Sequence, residues 1–291
     1  MSSSANTKIQ RKNELYEVGP GFWNVRGRFR MFAQKVDVGT HMSIVRLSNG
    51  NFVIFDTVAL DDHLKEQINR LTDNGNRIEG VIGTHSFHTR SFLDFYQTYP
   101  QAAYYGTPRH LRQLPEIPWL GSLDNCNVRQ KWEPDVEMRI TAGGEFINPR
   151  HGSSHLMSVF MYHRPSSTLH VTDTIMYTDK FTPILRLFGM ARDVMIFHPS
   201  IRTHGLHPTA DAPFVFRDWM RNVLQDWPFE NLCCAHLDVK IGDAHRLVTQ
   251  LLNKTESLFI KVSKKNKKKN PSGELPVGSF PNIDVVGDEC G

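Results

Sequence analysis

Four short apolar segments of this chain each run into a histidine or an aspartate, and this pattern constrains the fold most strongly. They are F-V-I-F before Asp56, I-E-G-V-I before Gly83-Thr84-His85, L-H-V-T before Asp173 and L-C-C-A before His236. Apolar runs of this length without alternation are typical of strands buried on both faces. Side chains that follow the carboxyl ends of such strands collect at one edge of a sheet, so we expect these polar groups to converge.

Segments with helical periodicity alternate with these strands. We predict helices over Asp61–Leu71, Ser91–Tyr99, Pro213–Asp226 and Asp243–Leu252, and further strands that include Glu137–Ile140 and Glu145–Ile147. In the first helix the apolar side chains fall on one face, and Asp61 or Asp62 can cap the first turn. Alternation of strands and helices is typical of layered α/β folds.

One large domain is predicted, with a shorter segment at each end. Residues 1–13 are interpreted as a flexible lead, residues 14–260 as the domain, and residues 261–291 as a basic, disordered tail. Hydrophobic residues make up 40% of the chain, which is typical of a globular protein. No apolar run approaches the ~20 residues that cross a bilayer, so we expect no membrane association.

The charge of the chain gives little reason to expect nucleic acid as a partner. The formal net charge is +4, and much of the excess comes from the run Lys264–Lys269. We interpret this run as a solvated tail in a cytoplasmic protein, with nuclear targeting as the alternative. The four cysteines form no C-x-x-C pair, and we expect all four to be reduced thiols. The sequence leaves the oligomeric state open.

A subset of the 14 histidines is placed where a metal site can form. The candidate ligands lie at the ends of predicted strands and are His85, His88, His151, His155, Asp173 and His236. Neutral imidazole and carboxylate ligands together suit Zn, Fe or Mn. The alternative is that these groups make structural hydrogen bonds. Surface or structural roles are predicted for His41, His63, His110, His163, His170, His204, His207 and His245, and the role of His198 is left open.

The order of these motifs resembles that of the metallo-β-lactamase-like superfamily, over residues 20–255. Asp56-Thr57 resembles the Asp-Thr that ends its early strand, and Thr84–His88 (T-H-S-F-H) resembles its T-H-x-H-x-D-H loop. The segment N-P-R-H-G-S-S-H lies where its third-motif histidine falls, Thr172-Asp173 resembles its Gly-Asp, and C-C-A-H-L-D resembles its last histidine motif. The resemblance implies an α/β fold in which two mixed sheets and flanking helices form a four-layer αββα sandwich.

Two further segments resemble one branch of that superfamily. They are H-R-P-S-S-T-L-H-V-T-D, which spans His163–Asp173, and W-P-F-E-N-L-C-C-A-H, which ends at His236. The branch they resemble is an uncharacterised domain of unknown function with the pattern H-R-P-S-x-T-L-x-x-T-D. The eleven-residue H-R-P segment is the more specific of the two signals.

The histidine loop departs from the superfamily pattern. Phe87, Thr89 and Arg90 stand where the pattern has His, Asp and His, so a regular binuclear site is not expected. The resemblance then implies one Zn ion, or Fe or Mn, held by His85 or His88, by His151 or His155, and by Asp173 and His236. Asp173 is also the candidate catalytic residue. Asp56 and Arg90 are candidates for supporting the ligands without binding the metal.

Such a site implies a metal-dependent hydrolase that acts on a small-molecule ester, thioester, lactone or phosphate ester. The alternative is a non-catalytic binding or scaffold protein that keeps the fold and has lost part of the metal site. The missing loop aspartate favours the scaffold, whereas Asp173 and His236 favour the enzyme.

Overall fold

Two mixed β-sheets face each other in the computed structural model, which describes residues 12–31, 36–149, 152, 154–179 and 193–280. The strands of the first sheet are, in spatial order, β1 (Leu15–Gly19), β2 (Phe22–Gly27), β5 (Thr40–Arg46), β6 (Phe52–Phe55), β7 (Ile78–Gly83), β8 (Ala103–Gly106) and β9 (Trp119–Ser122). Those of the second are β10 (Val136–Ile140), β11 (Val159–His163), β12 (Thr168–Thr172), β15 (Asn231–Cys234) and β16 (Val239–Lys240). Two small ribbons pair β3 (Arg30–Met31) with β4 (Val36–Asp37) and β13 (Ile175–Thr178) with β14 (Val194–Phe197).

Both large sheets combine parallel and antiparallel pairs. In the first sheet β6, β7, β8 and β9 are parallel, and the earlier strands are antiparallel. In the second sheet β12 and β15 are parallel, and the remaining pairs are antiparallel. Parallel neighbours need crossover connections, which helices commonly supply. The carboxyl ends of β6, β7, β12 and β15 are the ends that precede the predicted site residues.

Helices connect and cover these strands. Their bounds are α1 (Asp62–Thr72), α2 (Phe92–Thr98), α3 (Pro108–Gln113), α4 (Cys126–Arg129), α5 (Ala212–Asp226) and α6 (Ala244–Lys269), with short 3-10 turns at Arg164–Ser166 and Pro199–Arg202. Helix α1 begins as predicted, because the Asp61 side chain accepts a hydrogen bond from the Leu64 amide at 2.8 Å.

Three apolar layers hold the sheets and helices together. Between the sheets, Phe22, Val45, Phe55 and Ile82 pack with Val136, Met138, Val159 and Met161. On the outer face of the first sheet, Ile44 and Ile54 pack with Leu64 and Ile68 of α1 and Phe92 and Phe95 of α2. On the outer face of the second sheet, Phe160 and Leu169 pack with Trp219 and Val223 of α5 and Val248 and Phe259 of α6. The order helix, sheet, sheet, helix confirms the predicted αββα sandwich.

Helix α6 is longer than the sequence predicts. It continues past Leu252 to Lys269, and Thr255, Phe259 and Val262 extend its buried stripe. The predicted disorder is therefore wrong for the helical residues 261–269. Lysines occupy the exposed positions of the last turns, where they interact favourably with the helix dipole. Because they outnumber the apolar residues there, the helical periodicity is difficult to recognise in the sequence. Residues 1–11 and 281–291 lie outside the described residues, so their predicted flexibility stays a prediction.

Two smaller predictions are wrong. Glu145–Ile147 does not form a strand, because the Glu145 side chain accepts hydrogen bonds from the amides of Ile147 and Asn148 and holds the chain in a bend. Cys126 is disulfide-bonded, whereas Cys233 and Cys234 are free and buried, so the expectation of four reduced thiols fails at Cys126.

Among the described residues, no helix is both long enough and apolar enough to cross a membrane.

Candidate metal centre

The side chains predicted at strand ends converge on Asp173. Asp173 directly follows β12 of the second sheet, and His236 lies two residues beyond β15 of the same sheet. His85 and His88 lie in the loop after β7 of the first sheet, where the His88 amide donates to the His85 carbonyl at 2.9 Å. His155 lies in the segment that leads into β11. The candidate ligands therefore come from both sheets and meet where the sheets face each other.

Four imidazoles surround the Asp173 carboxylate. Oδ2 of Asp173 lies 2.8 Å from His155 Nδ1, 3.2 Å from His88 Nε2 and 3.9 Å from His85 Nε2. Its Oδ1 lies 3.4 Å from His236 Nε2. The ligand atoms of His85, His88, His155 and Asp173 all lie within 4.8 Å of one another. Two ligands of one Zn ion are separated by at most about 4.4 Å, so the widest separation has to shorten slightly for all four to bind.

Backbone carbonyls fix the orientation of two of these rings. The Nδ1 atom of His236 lies 2.5 Å from the Gly39 carbonyl oxygen, and Nε2 of His155 lies 2.9 Å from that of Gly152. A carbonyl can only accept, so each of these nitrogens carries the proton. The other ring nitrogen, which faces Asp173, has a free lone pair when the ring is neutral and donates to the carboxylate when the ring is protonated. A metal-binding histidine typically donates its second ring N–H in this way.

The electrostatics of the group favour an ionised Asp173 beside a neutral His85 and a protonated His88. Burial, aided by the charge of His88, holds the pKa of His85 well below its usual value. Burial also lowers the pKa of His236. Burial raises the pKa of Asp173, but the charges of His88 and His236 and the hydrogen bonds from His155 and His88 outweigh it and hold that pKa well below its usual value. For His88, the charge and hydrogen bond of Asp173 outweigh burial and raise the pKa.

The Nε2 atom of His85 shows that hydrogen bonds within the group do not satisfy all of its buried polar atoms. His85 is fully buried, and its Nε2 has no hydrogen-bond partner within the described part of the chain. A buried polar atom without a partner costs about 1–3 kcal/mol. Together with lone pairs that face a carboxylate, this donor set is suited to a cation such as Zn²⁺.

Asp56 supports the histidine loop without touching a candidate ligand. Its carboxylate accepts from the Thr84 amide at 3.0 Å and the Thr84 hydroxyl at 2.8 Å, which fixes the residue before His85. It also lies 3.2 Å from Nε2 of His170 in the second sheet. Burial raises the pKa of Asp56, but the hydrogen bond and charge of His170 prevail and bring it to about 2. Asp56 therefore supports the candidate ligands, as predicted, through its contacts with Thr84 beside His85.

The remaining predicted site residues have different outcomes. Arg90 is exposed, and the Asp173 ion pairs among the described residues are all with histidines, so the structure shows no Arg90–Asp173 pair. His151 lies outside the described residues. The sequence offered His85 or His88 as one ligand and His151 or His155 as another. In the structure His85, His88 and His155 all belong to the group.

The sequence analysis did not assign two further histidines, His198 and His170, to the surroundings of the candidate metal centre. His198 packs against His155 with ring centroids 5.3 Å apart, and burial lowers its pKa to about 4. The apolar segment V-M-I-F before His198 is the same strand-end signal that identified the other candidates. A surface or structural role was predicted for His170, although it lies fully buried on β12, the strand that precedes Asp173.

A hydrogen-bonded chain of buried side chains continues from His170 through the first sheet. His170 Nδ1 lies 3.1 Å from the Ser43 hydroxyl, which accepts from Asn24 at 3.2 Å. Asn24 Oδ1 lies 2.7 Å from His41 Nδ1, and His41 Nε2 lies 3.2 Å from the carbonyl of Leu237, the residue after His236. This chain connects the Asp56 side of the candidate centre with the His236 side.

Solved metallo-β-lactamases share the fold. DIM-1 metallo-β-lactamase exposed to ceftazidime has a TM-score of 0.53 at 14% identity, over 86% of this chain and 100% of that chain. VMB-1 has a TM-score of 0.55 at 12% identity, over 86% and 97% of the two chains. A metallo-β-lactamase from Hirschia baltica has a TM-score of 0.53 at 14% identity, over 82% and 97%. At these identities the similarity shows the fold alone. No curated protein sequence matches the chain.

A family model does match the sequence. It describes a domain of unknown function, DUF4336, and covers residues 30–202. The match contains His85, His88, His155 and Asp173 and ends before His236. It also contains the H-R-P segment, whose value as a signature of the branch stays a prediction. Because the match spans more than half of the sequence, the chain belongs to the DUF4336 family, and it has the metallo-β-lactamase fold.

Proposed function

We propose that this protein is a metal-dependent hydrolase with one metal ion, Zn or else Fe or Mn, at a site formed by His85, His88, His155 and Asp173. The observation that carries the proposal is the convergence of these four ligand atoms within 4.8 Å of one another. His236, whose Nε2 faces the same carboxylate, is the fifth candidate ligand. A single ion is favoured because Phe87, Thr89 and Arg90 occupy the loop positions that would complete the ligand set of a binuclear site.

The chemistry follows from this donor set and from the cavity beside it. When bound, an ion such as Zn²⁺ lowers the pKa of a coordinated water toward ~7 and polarises a carbonyl or phosphoryl oxygen. Asp173 is ionised at the centre of the group, so its carboxylate can accept a hydrogen bond from the attacking water and orient it. His155 and His236 are held in one tautomer by carbonyls, which keeps their free nitrogens directed at the reacting region. The proposed substrates are an ester, a thioester, a lactone or a phosphate ester.

Metal content is the first test. Protein purified without an affinity tag should carry about one equivalent of metal, and Asp173→Asn or His155→Ala should lower this content severalfold. His63→Ala removes an exposed histidine on α1 and serves as the matched control, which should leave the metal content unchanged. Less than about a tenth of an equivalent of Zn, Fe and Mn together in the wild-type protein would refute the proposal.

The activity needs a separate measurement. The metal-loaded protein should hydrolyse at least one member of a panel of aryl esters, thioesters, lactones and phosphodiesters. Asp173→Asn should reduce kcat/KM by at least about a hundredfold, whereas His63→Ala should not change it. Hydrolysis that survives in Asp173→Asn would show that it does not arise at this site.

The second candidate is a non-catalytic binding or scaffold protein. The substitution of three loop ligands by Phe87, Thr89 and Arg90 favours it. It predicts that His236→Ala leaves both metal content and cellular function unchanged. The hydrolase predicts that His236→Ala lowers the metal content and activity together.

A further inference from the structure

The candidate metal centre opens into a cavity of about 1000 Å³. This volume is at the upper end of the range for small-molecule sites. His88, His155, Asp173 and His236 contribute to its wall. Most of the remaining surface is apolar and is supplied by Phe29, Met31, Val38, Ala59, Phe87 and Met176. A ligand that fills this space therefore needs a sizeable apolar body.

The fixed charge of the cavity is positive. Arg28, Arg30 and Arg90 line it, and all three side chains are exposed. Among the described lining residues the single acid is Asp173, which is already surrounded by histidines. Within the described part of the chain neither Arg28 nor Arg90 is paired with a carboxylate. The two exposed guanidinium groups are thus available to a ligand of this apolar cavity.

Resting on the hydrolase function proposed above, we propose that the substrate is an amphipathic anion. Its apolar body packs against Phe29, Phe87 and Met176, and its carboxylate or phosphate group binds Arg28 and Arg90. Guanidinium groups bind both kinds of anion through charge-assisted hydrogen bonds. With the substrate bound in this way, the bond to be cleaved lies at the candidate metal centre, near the anionic group.

The size of the charge effect is limited by exposure. Surface ion pairs are weakened by solvent and by salt, so each arginine contributes only a severalfold gain in affinity. Two arginines together should make an anionic ligand bind about tenfold more tightly than a neutral ligand with the same apolar body. This preference should decrease as the salt concentration rises, whereas the affinity for the neutral ligand should not.

Calorimetric titration with three ligands that carry the same eight-carbon alkyl chain tests the proposal. Nonanoate, octyl phosphate and octanol share this apolar body, and the ratio between the two anions identifies the preferred head group. The double variant Arg28→Gln/Arg90→Gln should lower the affinity for the anions about tenfold, to that for octanol, and leave octanol binding unchanged. Arg70→Gln removes an exposed arginine on α1 and is the matched control, with no expected change.

Two results would overturn the proposal. One is equal affinity for octanol and both anions in the wild-type protein. The other is an anion preference that survives in the double variant and disappears when a chelator removes the metal, since the anion would then bind the ion rather than the arginines.

These results are separable from a failure of the hydrolase function. Anion preference in a protein without metal or turnover refutes the hydrolase and retains the anion site. Turnover of neutral and anionic esters with equal kcat/KM, together with equal affinities, retains the hydrolase and refutes the anion site.

Discussion

Substitution of Asp56 by asparagine should measure how strongly one buried carboxylate joins the two sheets. The pKa of Asp56 is lowered from 3.8 to about 2, although burial alone would raise it. At 1.36 kcal/mol for each unit, the protein therefore favours the ionised form by about 2 kcal/mol. Asparagine keeps the shape but loses the charge, and its amide nitrogen replaces an oxygen that faces Thr84 and His170. We expect Asp56→Asn to lower the free energy of unfolding by about 2–3 kcal/mol.

Urea denaturation at two pH values provides the assay. A carboxyl group whose pKa is depressed by folding contributes all of its stability above the unfolded pKa, here 3.8, and loses it as the pH falls toward about 2. The deficit of the variant should therefore be the same at pH 7.5 and at pH 5.5. Asp94→Asn changes an exposed acid of α2 and should cost less than about 0.5 kcal/mol.

A double-mutant cycle ties the effect to the contact between the sheets. If the ionised Asp56 acts through His170, the costs of Asp56→Asn and His170→Gln should be non-additive by about 1 kcal/mol or more. A deficit no larger than that of Asp94→Asn, or fully additive single effects, would refute the assignment of this pair as a link between the sheets.

Three further substitutions test other parts of the structure. His163→Gln should make the free energy of unfolding less dependent on pH, because burial lowers the pKa of His163 to about 4. The unfolded histidine takes up a proton between pH 7 and pH 5, so the wild-type protein loses about 2 kcal/mol of stability through this group over that range. Urea titrations of both proteins at the two pH values should show the difference. Phe259→Ala should cost about 3–5 kcal/mol in urea denaturation, whereas Ile260→Ala, at an exposed position of the same helix, should cost little; equal costs would contradict the packing of α6. Gly83→Ala would bring a Cβ to 2.5 Å from Nε2 of His110, which forces the loop that carries His85 to move. It should therefore lower both the melting temperature and the metal content. Unchanged metal content would show that His85 tolerates this movement.

The sequence predicts the parts of the site that depend on strand ends. A buried apolar run followed by Asp56, His85, Asp173 or His236 implies where the side chain emerges, because strand direction fixes the edge of the sheet. It does not imply the conformation of the loop beyond. For that reason both His85 and His88 remained candidates until the loop placed both of them beside Asp173.

The buried chain from Asp56 to His41 was not predictable for a different reason. His170 contacts Ser43 and Asp56 across the interface between the two sheets, over more than a hundred residues of sequence, and Ser43 in turn contacts Asn24 within the first sheet. His170, Ser43 and Asn24 are ordinary polar residues within strands, and nothing local indicates their partners. Helix α6 was underestimated because its exposed lysines conceal a stripe whose members, such as Phe259 and Val262, are three or four residues apart.

Backbone strain bears on the choice between enzyme and scaffold. Asp56, Thr172 and Leu237 have φ values of 55°, 49° and 72°, in the left-handed region that non-glycine residues rarely adopt. Asp56 and Thr172 lie at the ends of β6 and β12, and Leu237 lies between β15 and β16, next to His236. Hydrogen bonds hold two of them in place: the Thr172 carbonyl accepts from the Ala235 amide, and the Leu237 amide donates to the Val38 carbonyl.

Such conformations cost about 1–3 kcal/mol each and persist only where the surroundings enforce them. Positive φ also occurs at residues outside the centre, namely Asn13, Asp73, Asn74, Ser167, Asp193 and Asp243, most of which are Asn or Asp and tolerate it. The β-branched Thr172 is the residue least suited to this conformation. The strained Thr172 is also the residue that delivers Asp173 to the four imidazoles. The strain at Thr172 therefore supports the proposed role of Asp173 in binding a ligand or in catalysis, because it fixes where that carboxylate lies.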